Sequence, residues 1–212
     1  MNQIRRYQNF NGMPYKERSK FKVFNIINEK CSKNNINQKI INEAKSLYNN
    51  ISDIKISRGS NRDGIIAACV YFSCKECDVP RSTKEISEIF DIKVTVMTKG
   101  IKNFQEIMNL NRNNKSRIQK KSIHPCDFID RFTNNMDIDI HLIKNICNTC
   151  LEKNIISQNT PQSIAAGCIY YYIKKNNLNI TKKQLSDVCK ISEVTINKCY
   201  KKIQDSENLF NE

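Results

Sequence analysis

Glycine and proline are both scarce in this chain of 212 residues, which contains only 5 and 4 of them respectively. Sandwiches and barrels need many tight turns, so this shortage favours an all-α protein. No apolar run approaches the roughly 20 residues that cross a bilayer, and we expect no membrane partner. The N-terminal sequence MNQIRRYQNFNG has no apolar core. It is therefore not a secretory signal, and we expect that the protein is not secreted.

Acidic residues are outnumbered: 35 Lys and Arg stand against 21 Asp and Glu, giving a formal net charge of +14. An excess of one sign destabilises a compact chain through self-repulsion, which an anionic partner relieves. Nucleic acid and an anionic membrane are the two candidate partners, and nucleic acid is favoured. The plainer alternative is a soluble Lys-rich protein, because abundant Asn and Ile indicate an AT-rich coding sequence that would also enrich Lys.

The chain contains an internal repeat with an offset of 99 residues. GIIAACVYFSCK, beginning at Gly64, aligns with SIAAGCIYYYIK, beginning at Ser163. STKEISEIFDIKVTVMTKGI, from Ser82, aligns in the same register with TKKQLSDVCKISEVTINKCY, from Thr181. Nine of the 38 aligned positions between residues 64 and 101 are identical. Units near 90 residues are too long for a solenoid repeat, so we predict two similar domains.

Helical periodicity runs through both units. The AACVY and AGCIY segments are almost wholly apolar, which predicts a central, surrounded helix in each unit. An earlier helix of each unit carries apolar residues at helical spacing on one face. The residues predicted for these faces are Ile40, Ala44, Leu47 and Tyr48 in the first unit, and Leu142, Ile146, Thr149 and Cys150 in the second.

Two short helices separated by a brief turn are predicted near the end of each unit. The first of these helices begins near Thr83 in the first unit and near Thr181 in the second, where a hydroxyl can cap free backbone N–H groups. After the turn, a second helix is predicted from about Val94 and about Glu193. A helix-turn-helix can place the first residues of its second helix at base edges in the major groove. The pattern is weak alone, but it occurs twice in a chain of charge +14.

Basic residues are concentrated around the second helix-turn-helix. Eight lysines lie between residues 174 and 202, against Asp187 and Glu193, for a local net charge of +6. These lysines, including Lys182, Lys183 and Lys198, could contact phosphates and fix the register of a helix without reading sequence. A solvated helix face is the alternative. A second basic stretch, residues 109–123, is interpreted equally well as a solvated linker or as an extended basic connection.

Two CxxC pairs, Cys74/Cys77 and Cys147/Cys150, could suggest a zinc site. Such pairs indicate zinc when about 15–20 residues separate them, but here Cys77 and Cys147 are 70 residues apart. The pairs also occupy different positions in the two repeats. We therefore predict core cysteines rather than a metal site, because free Cys packs as a small hydrophobe. The ten cysteines are expected to be free thiols in a reducing compartment.

Catalysis has little support in the sequence. The two histidines, His124 and His141, lie in no motif with a nucleophile and an orienting acid. A Gly-rich phosphate loop and an HExxH motif are both missing. We expect no catalytic residues, no metal and no cofactor, and we do not expect an enzyme.

Two segments carry a resemblance to a known family. RGSNRDGIIAACVYFSCKECDVPRSTKEIS in the first repeat and SEVTINKCYKKI in the second resemble the core of transcription factor IIB and its archaeal counterpart. The resemblance covers about residues 21–210. It implies an all-α protein of two tandem five-helix cyclin-like repeats, each with a helix-turn-helix near its C-terminal part. The resemblance places repeat 1 at residues 21–109 and repeat 2 at residues 122–212. A basic linker, residues 110–121, would join them.

The resemblance also implies a function. The core would bind a complex of TATA-binding protein and promoter DNA and help recruit or position a multisubunit RNA polymerase, acting as a monomer without a cofactor. The second helix of the repeat-2 helix-turn-helix would read an element upstream of the TATA box. A loop at Arg58, Gly59 and Ser60 would approach DNA downstream of it. Residues 1–20 resemble the linker that precedes the core and helps to open DNA.

The sequence departs from the family pattern in three places. No counterpart of the family's N-terminal zinc ribbon is found, so the chain is a fragment, the ribbon is encoded elsewhere, or this member works without it. Asn197 occupies the position of an arginine in the upstream-reading helix, although the matching valine is kept as Val194. Gly100 lies inside a predicted helix and is expected to weaken it slightly. The composition would suit a virus or parasite, which places the protein in the nucleus or, for a virus, in the host-cell cytoplasm.

Base reading is expected to fall to Val194, Thr195 and Asn197. Val194 and the Thr195 methyl group could pack on a thymine methyl, and Asn can bond adenine in a bidentate way, worth roughly 1–3 kcal/mol of discrimination. Asn197 therefore predicts that any upstream preference has moved from guanine towards adenine. The competing hypothesis is a cyclin-like protein-interaction module, for example a kinase-activating one, which would need no basic DNA-reading face.

Overall fold

The computed structural model describes residues 12–110, 122–134 and 136–206, with the side chain of residue 110 excluded. The regular secondary structure of these residues is α-helical. They group into two compact units: unit 1 contains residues 12–77 and 81–110, and unit 2 contains residues 78–80, 122–134 and 136–206. The predicted basic linker at 110–121 lies outside the described residues apart from residue 110.

Within the described residues, each unit contains five helices, which confirms the predicted all-α architecture of two five-helix repeats. The bounds in unit 1 are α1 Tyr15–Lys33, α2 Gln38–Ile54, α3 Gly59–Glu76, α4 Thr83–Phe90 and α5 Val94–Leu110. The bounds in unit 2 are α6 Cys126–Thr133, α7 Ile140–Glu152, α8 Pro161–Lys175, α9 Lys182–Cys189 and α10 Glu193–Asp205.

The third helix of each unit is the centre of its core. Residues 64–70 of α3 and 163–171 of α8 are buried at every consecutive position. A helix with apolar side chains all round, instead of along one stripe, must be surrounded by other helices. The prediction from the AACVY and AGCIY segments is therefore confirmed. The most extensive packing partner of α3 is α5, and that of α8 is α10.

Glycine allows these two central contacts to be close. A Cβ atom at Gly100 of α5 would lie 2.1 Å from the carbonyl oxygen of Gly64 in α3, far inside van der Waals contact. In unit 2, a Cβ atom at Gly167 of α8 would lie 2.5 Å from the Cβ atom of Cys199 in α10. Gly100 and Cys199 are equivalent under the offset of 99. Gly100 therefore has a packing role that offsets its low helix propensity.

Of the four residues predicted for the buried face of α7, Cys150 alone is buried; Leu142 is exposed, and Ile146 and Thr149 are half-buried. Ile143, Cys147 and Cys150 are fully buried, whereas Leu142 is 50% exposed. The buried set has the spacing of four and three residues that one helix face requires, and it is apolar throughout. The predicted set included Thr149, whose hydroxyl instead donates a hydrogen bond to the carbonyl of Asn145 on the partly exposed side.

Helix α1 begins at Tyr15, six residues before the predicted start of repeat 1 at residue 21. Its first turns are held by contacts with the rest of unit 1. Lys16 and Lys20 each form an ion pair of 2.8 Å with Asp53 of α2, and their hydrogen bonds lower the pKa of the Asp53 carboxyl group. Residues 15–20 of the predicted linker-like segment thus form part of a packed helix, while residues 1–11 lie outside the described part of the chain.

The close contact in unit 1 can be tested by substitution. Gly100→Ala should destabilise the protein by about 3 kcal/mol, the upper end for overpacking, because the new methyl group meets backbone rather than a movable side chain. Gly12→Ala is the matched control, since a Cβ atom there meets nothing within 4 Å. Urea unfolding measures both variants. Equal stability of the two would contradict the helix spacing described here.

Candidate nucleic-acid interface

Hydrogen bonds fix the helix-turn-helix of unit 2 at the start of each helix and in the turn between them. Thr181 caps α9 in a reciprocal capping box with Gln184. The helix ends at Lys190, whose φ of 56° is left-handed, and the Ser186 hydroxyl donates to the carbonyl of Ile191 at 2.6 Å. Ser192 then caps α10 by accepting a hydrogen bond from the backbone N–H of Thr195. The turn therefore has one defined conformation.

Unit 1 repeats this arrangement at the equivalent positions. Ser82 caps α4 in a capping box with Glu85. Asp91, the counterpart of Lys190, is also left-handed, with φ of 55°. The second helix of each pair begins at the predicted residue, Val94 or Glu193. The prediction of a helix-turn-helix near the end of each repeat is confirmed.

The predicted reading residues occupy the outward side of α10. Val194 is 64% exposed, and Lys198 one turn later is exposed as well. Thr195 is half-buried, and its hydroxyl shares a 2.8 Å hydrogen bond with the Ser192 hydroxyl. The opposite side of the helix is fully buried through Ile196, Cys199 and Ile203.

Asn197 is not an isolated side chain. The Lys182 ammonium group, on the first turn of α9, donates a 3.0 Å hydrogen bond to Asn197 Oδ1. The same ammonium group lies 5.5 Å from the ring centroid of Tyr170 on α8. Lys174 lies over that ring as well, at 5.7 Å, and Lys183 next to Lys182 is exposed. Sequence reasoning missed Tyr170 as a part of the site, because its apolar surroundings in AGCIY indicate only a core residue.

The residues predicted as a DNA-approaching loop of unit 1 lie at the start of α3: Arg58 precedes the helix, whereas Gly59 and Ser60 are its first two residues. Gly59 has a φ of +55°, a conformation that favours glycine, and no side chain caps the helix at Arg58. Residues 55–58, which lead into α3, line two cavities of about 300 and 460 Å³. Arg58 lines both of them, and so does Lys55, a second cation that the sequence prediction did not include.

Three of the four CxxC cysteines lie in the cores, whereas Cys77 is half-buried and packs against the edge of its core. Cys147 and Cys150 are fully buried and hydrogen-bond with the thiol of Cys168, while Cys126 bonds Cys147 from the core edge. The bonds from Cys126 and Cys168 lower the pKa of Cys147. Among the described residues, no group of three or more His, Cys, Asp or Glu side chains is arranged to hold a metal ion.

None of the helices in the described ranges combines the length and apolarity needed to cross a membrane.

Two all-α cyclin-like repeats, each ending in a helix-turn-helix, define the class of protein. Comparison with known families makes the assignment specific. The family described as "Transcription factor TFIIB repeat" matches residues 16–107 and again residues 118–206. The chain therefore belongs to the transcription factor IIB family.

Individual relatives agree with this assignment. A putative transcription initiation factor IIB-like protein of Acanthamoeba polyphaga mimivirus is 38% identical over 94% of this chain and 47% of its own length. Transcription initiation factor IIB of Encephalitozoon cuniculi is 28% identical, over 91% of this chain and 60% of the relative. Transcription initiation factor IIB of Drosophila melanogaster is 26% identical, over 92% of this chain and 61% of the relative. The chain thus spans about half to three-fifths of the length of these relatives, one of which is viral.

Removal of metal should not affect the fold, because Cys147 and Cys150 are interpreted as packing residues. Treatment with EDTA is expected to leave the melting temperature of the purified chain unchanged, as measured by circular dichroism. One zinc ion per chain by elemental analysis, together with a lower melting temperature after EDTA, would contradict that interpretation.

Proposed function

We propose that this chain binds the complex of TATA-binding protein and promoter DNA and helps to recruit or position a multisubunit RNA polymerase. The observation that carries the proposal is the match of both repeats to the transcription factor IIB family. Its place of action is the nucleus, or the host-cell cytoplasm if the protein is viral.

The first step of binding is electrostatic. The net charge of +14 favours association with DNA. Lys183 in the first turn of α9 and Lys198 in the second turn of α10 are both exposed. Their ammonium groups contact phosphates and set the register of the helix on the DNA. Counterions released from the DNA make this step sensitive to salt.

The second step is recognition by α10. Ser192 caps the helix, so its first turn is ordered before DNA is met. Val194 offers an exposed apolar surface for a thymine methyl group. The Thr195 hydroxyl already has a partner in Ser192, so its methyl group is the more available part of that side chain. Base discrimination then depends on Asn197.

Unit 1 contributes a separate DNA contact. Arg58 ends the loop before α3, and Gly59 and Ser60 form the first turn of that helix, whose first backbone N–H groups lack a side-chain cap. Free N–H groups at a helix start favour an anion, and Arg58 and Lys55 supply positive charge beside them. The loop therefore contacts the phosphates of DNA on the downstream side of the TATA box.

The proposal is tested by mixing the chain with TATA-binding protein and a TATA-containing promoter fragment. A ternary complex should form, with affinity that falls steeply as salt rises. Lys198→Ala should weaken the complex and reduce the slope of log affinity against log salt by about 1, the effect of losing one phosphate contact. Band-shift titration at several salt concentrations measures both quantities.

Lys39→Ala is the matched control, because Lys39 is equally exposed but lies on the first turn of α2, at the other end of that helix from Arg58. Its affinity and salt slope should equal those of the unmodified chain. Failure to form a ternary complex, combined with stable binding to a protein kinase, would instead support the cyclin-like interaction module.

A further inference from the structure

Three helices of unit 2 bring a lysine, an asparagine and a tyrosine together at the start of the reading helix. Lys182 comes from α9, Asn197 from α10 and Tyr170 from α8. The Lys182 ammonium group is 3.0 Å from Asn197 Oδ1 and 5.5 Å from the centre of the Tyr170 ring. Lys182 and Asn197 are called the Lys182–Asn197 pair below.

The surroundings hold this pair in place. Tyr170 is only 6% exposed, and its ring packs edge-on against Tyr200 with 5.2 Å between centroids. A cation over such a ring is stabilised by the negative face of the π-system. The capping box of Thr181 and Gln184 fixes the backbone at the first residue of α9, from which the Lys182 side chain extends. The ammonium group is therefore positioned before any DNA binds.

The hydrogen bond changes what Asn197 can offer to a base. An ammonium group has only donors, so the bond must use the amide oxygen of Asn197 and leave its NH₂ group facing away. Lys182 keeps two further N–H donors. The positive charge beside Oδ1 also repels a second donor that approaches this oxygen. The Lys182–Asn197 pair consequently presents donors to an incoming base edge.

The two purines differ in their need for these donors. In the major groove, guanine presents two acceptors, N7 and O6, whereas adenine presents one acceptor, N7, and the N6 amino donor. An isolated Asn satisfies adenine because it combines an acceptor with a donor. The Lys182–Asn197 pair offers donors alone and therefore matches the two acceptors of guanine. Against adenine, its ammonium group would meet the N6 amino group, and two donors cannot form a hydrogen bond.

We propose that the Lys182–Asn197 pair acts as one base-reading unit that selects guanine over adenine. The preference for adenine expected from Asn197 alone is thereby reversed, because Lys182, on a different helix, places a positive charge beside the amide oxygen of Asn197. This inference rests on the proposed function, because it names the base that α10 reads.

The test uses Lys182→Met, which keeps an unbranched side chain but removes the ammonium group and frees Asn197 Oδ1. Lys183→Met removes the same charge from the next residue, which is exposed, and is the matched control. Each protein is titrated by band shift, with TATA-binding protein present, against promoter fragments in which each position upstream of the TATA box is set in turn to G or A.

The unmodified chain should prefer G over A at one upstream position by roughly fivefold to a hundredfold, the range for one bidentate contact. Lys182→Met should lose that preference and favour A at the same position. Lys183→Met should weaken binding to all fragments alike and retain the preference for G.

The outcomes separate the two proposals. A chain that forms no ternary complex on any fragment would overturn the proposed function, and this inference with it. A complex that forms but prefers A, or has no purine preference, would overturn the inference alone. So would a Lys182→Met variant that behaves like Lys183→Met.

Discussion

The close contact between the third and the fifth helix of each unit determines where the candidate interface lies. In unit 1 the contact is made by Gly64 and Gly100, and in unit 2 by Gly167 and Cys199. Because α10 is seated against α8 along its buried side, the side that carries Val194 must face outward. The same contact brings Tyr170 of α8 close to the start of α10. The ammonium groups of Lys174 and Lys182 lie over the Tyr170 ring at this place. Core packing and the position of the candidate interface thus depend on one helix crossing.

The two units reach this crossing with different residues. Unit 1 has glycine on both helices, Gly64 on the central one and Gly100 on the last, whereas unit 2 pairs Gly167 of the central helix with Cys199 of the last. The central-helix glycine also differs in position, because the unit 1 counterpart of Gly167 is Ala68. What is maintained is the space between the helices, because overpacking would displace the reading helix.

Much of this architecture could be predicted from the sequence, because a repeat at fixed offset shows which patterns recur. The starts of both second helices, at Val94 and Glu193, follow from capping residues and turn spacing, which are local signals. The face of α7 was predicted one residue away, since Leu142 and Ile143 are equally apolar and only packing distinguishes them. The bond from Lys182 to Asn197 joins residues 15 apart on two helices, and no local pattern indicates it. The sequence-based prediction of adenine therefore took no account of this hydrogen bond.

The central claim is that the outward side of α10 lies against promoter DNA. The most direct measurement is photo-crosslinking from position 194, with p-benzoylphenylalanine in place of the exposed Val194, in a complex with TATA-binding protein and promoter DNA. The same substitution at Leu142, which is also exposed, on α7, serves as the reference. The account predicts crosslinks to bases upstream of the TATA box from position 194 and none from position 142. Equal crosslinking from both positions, or crosslinks from 194 to protein alone, would contradict it.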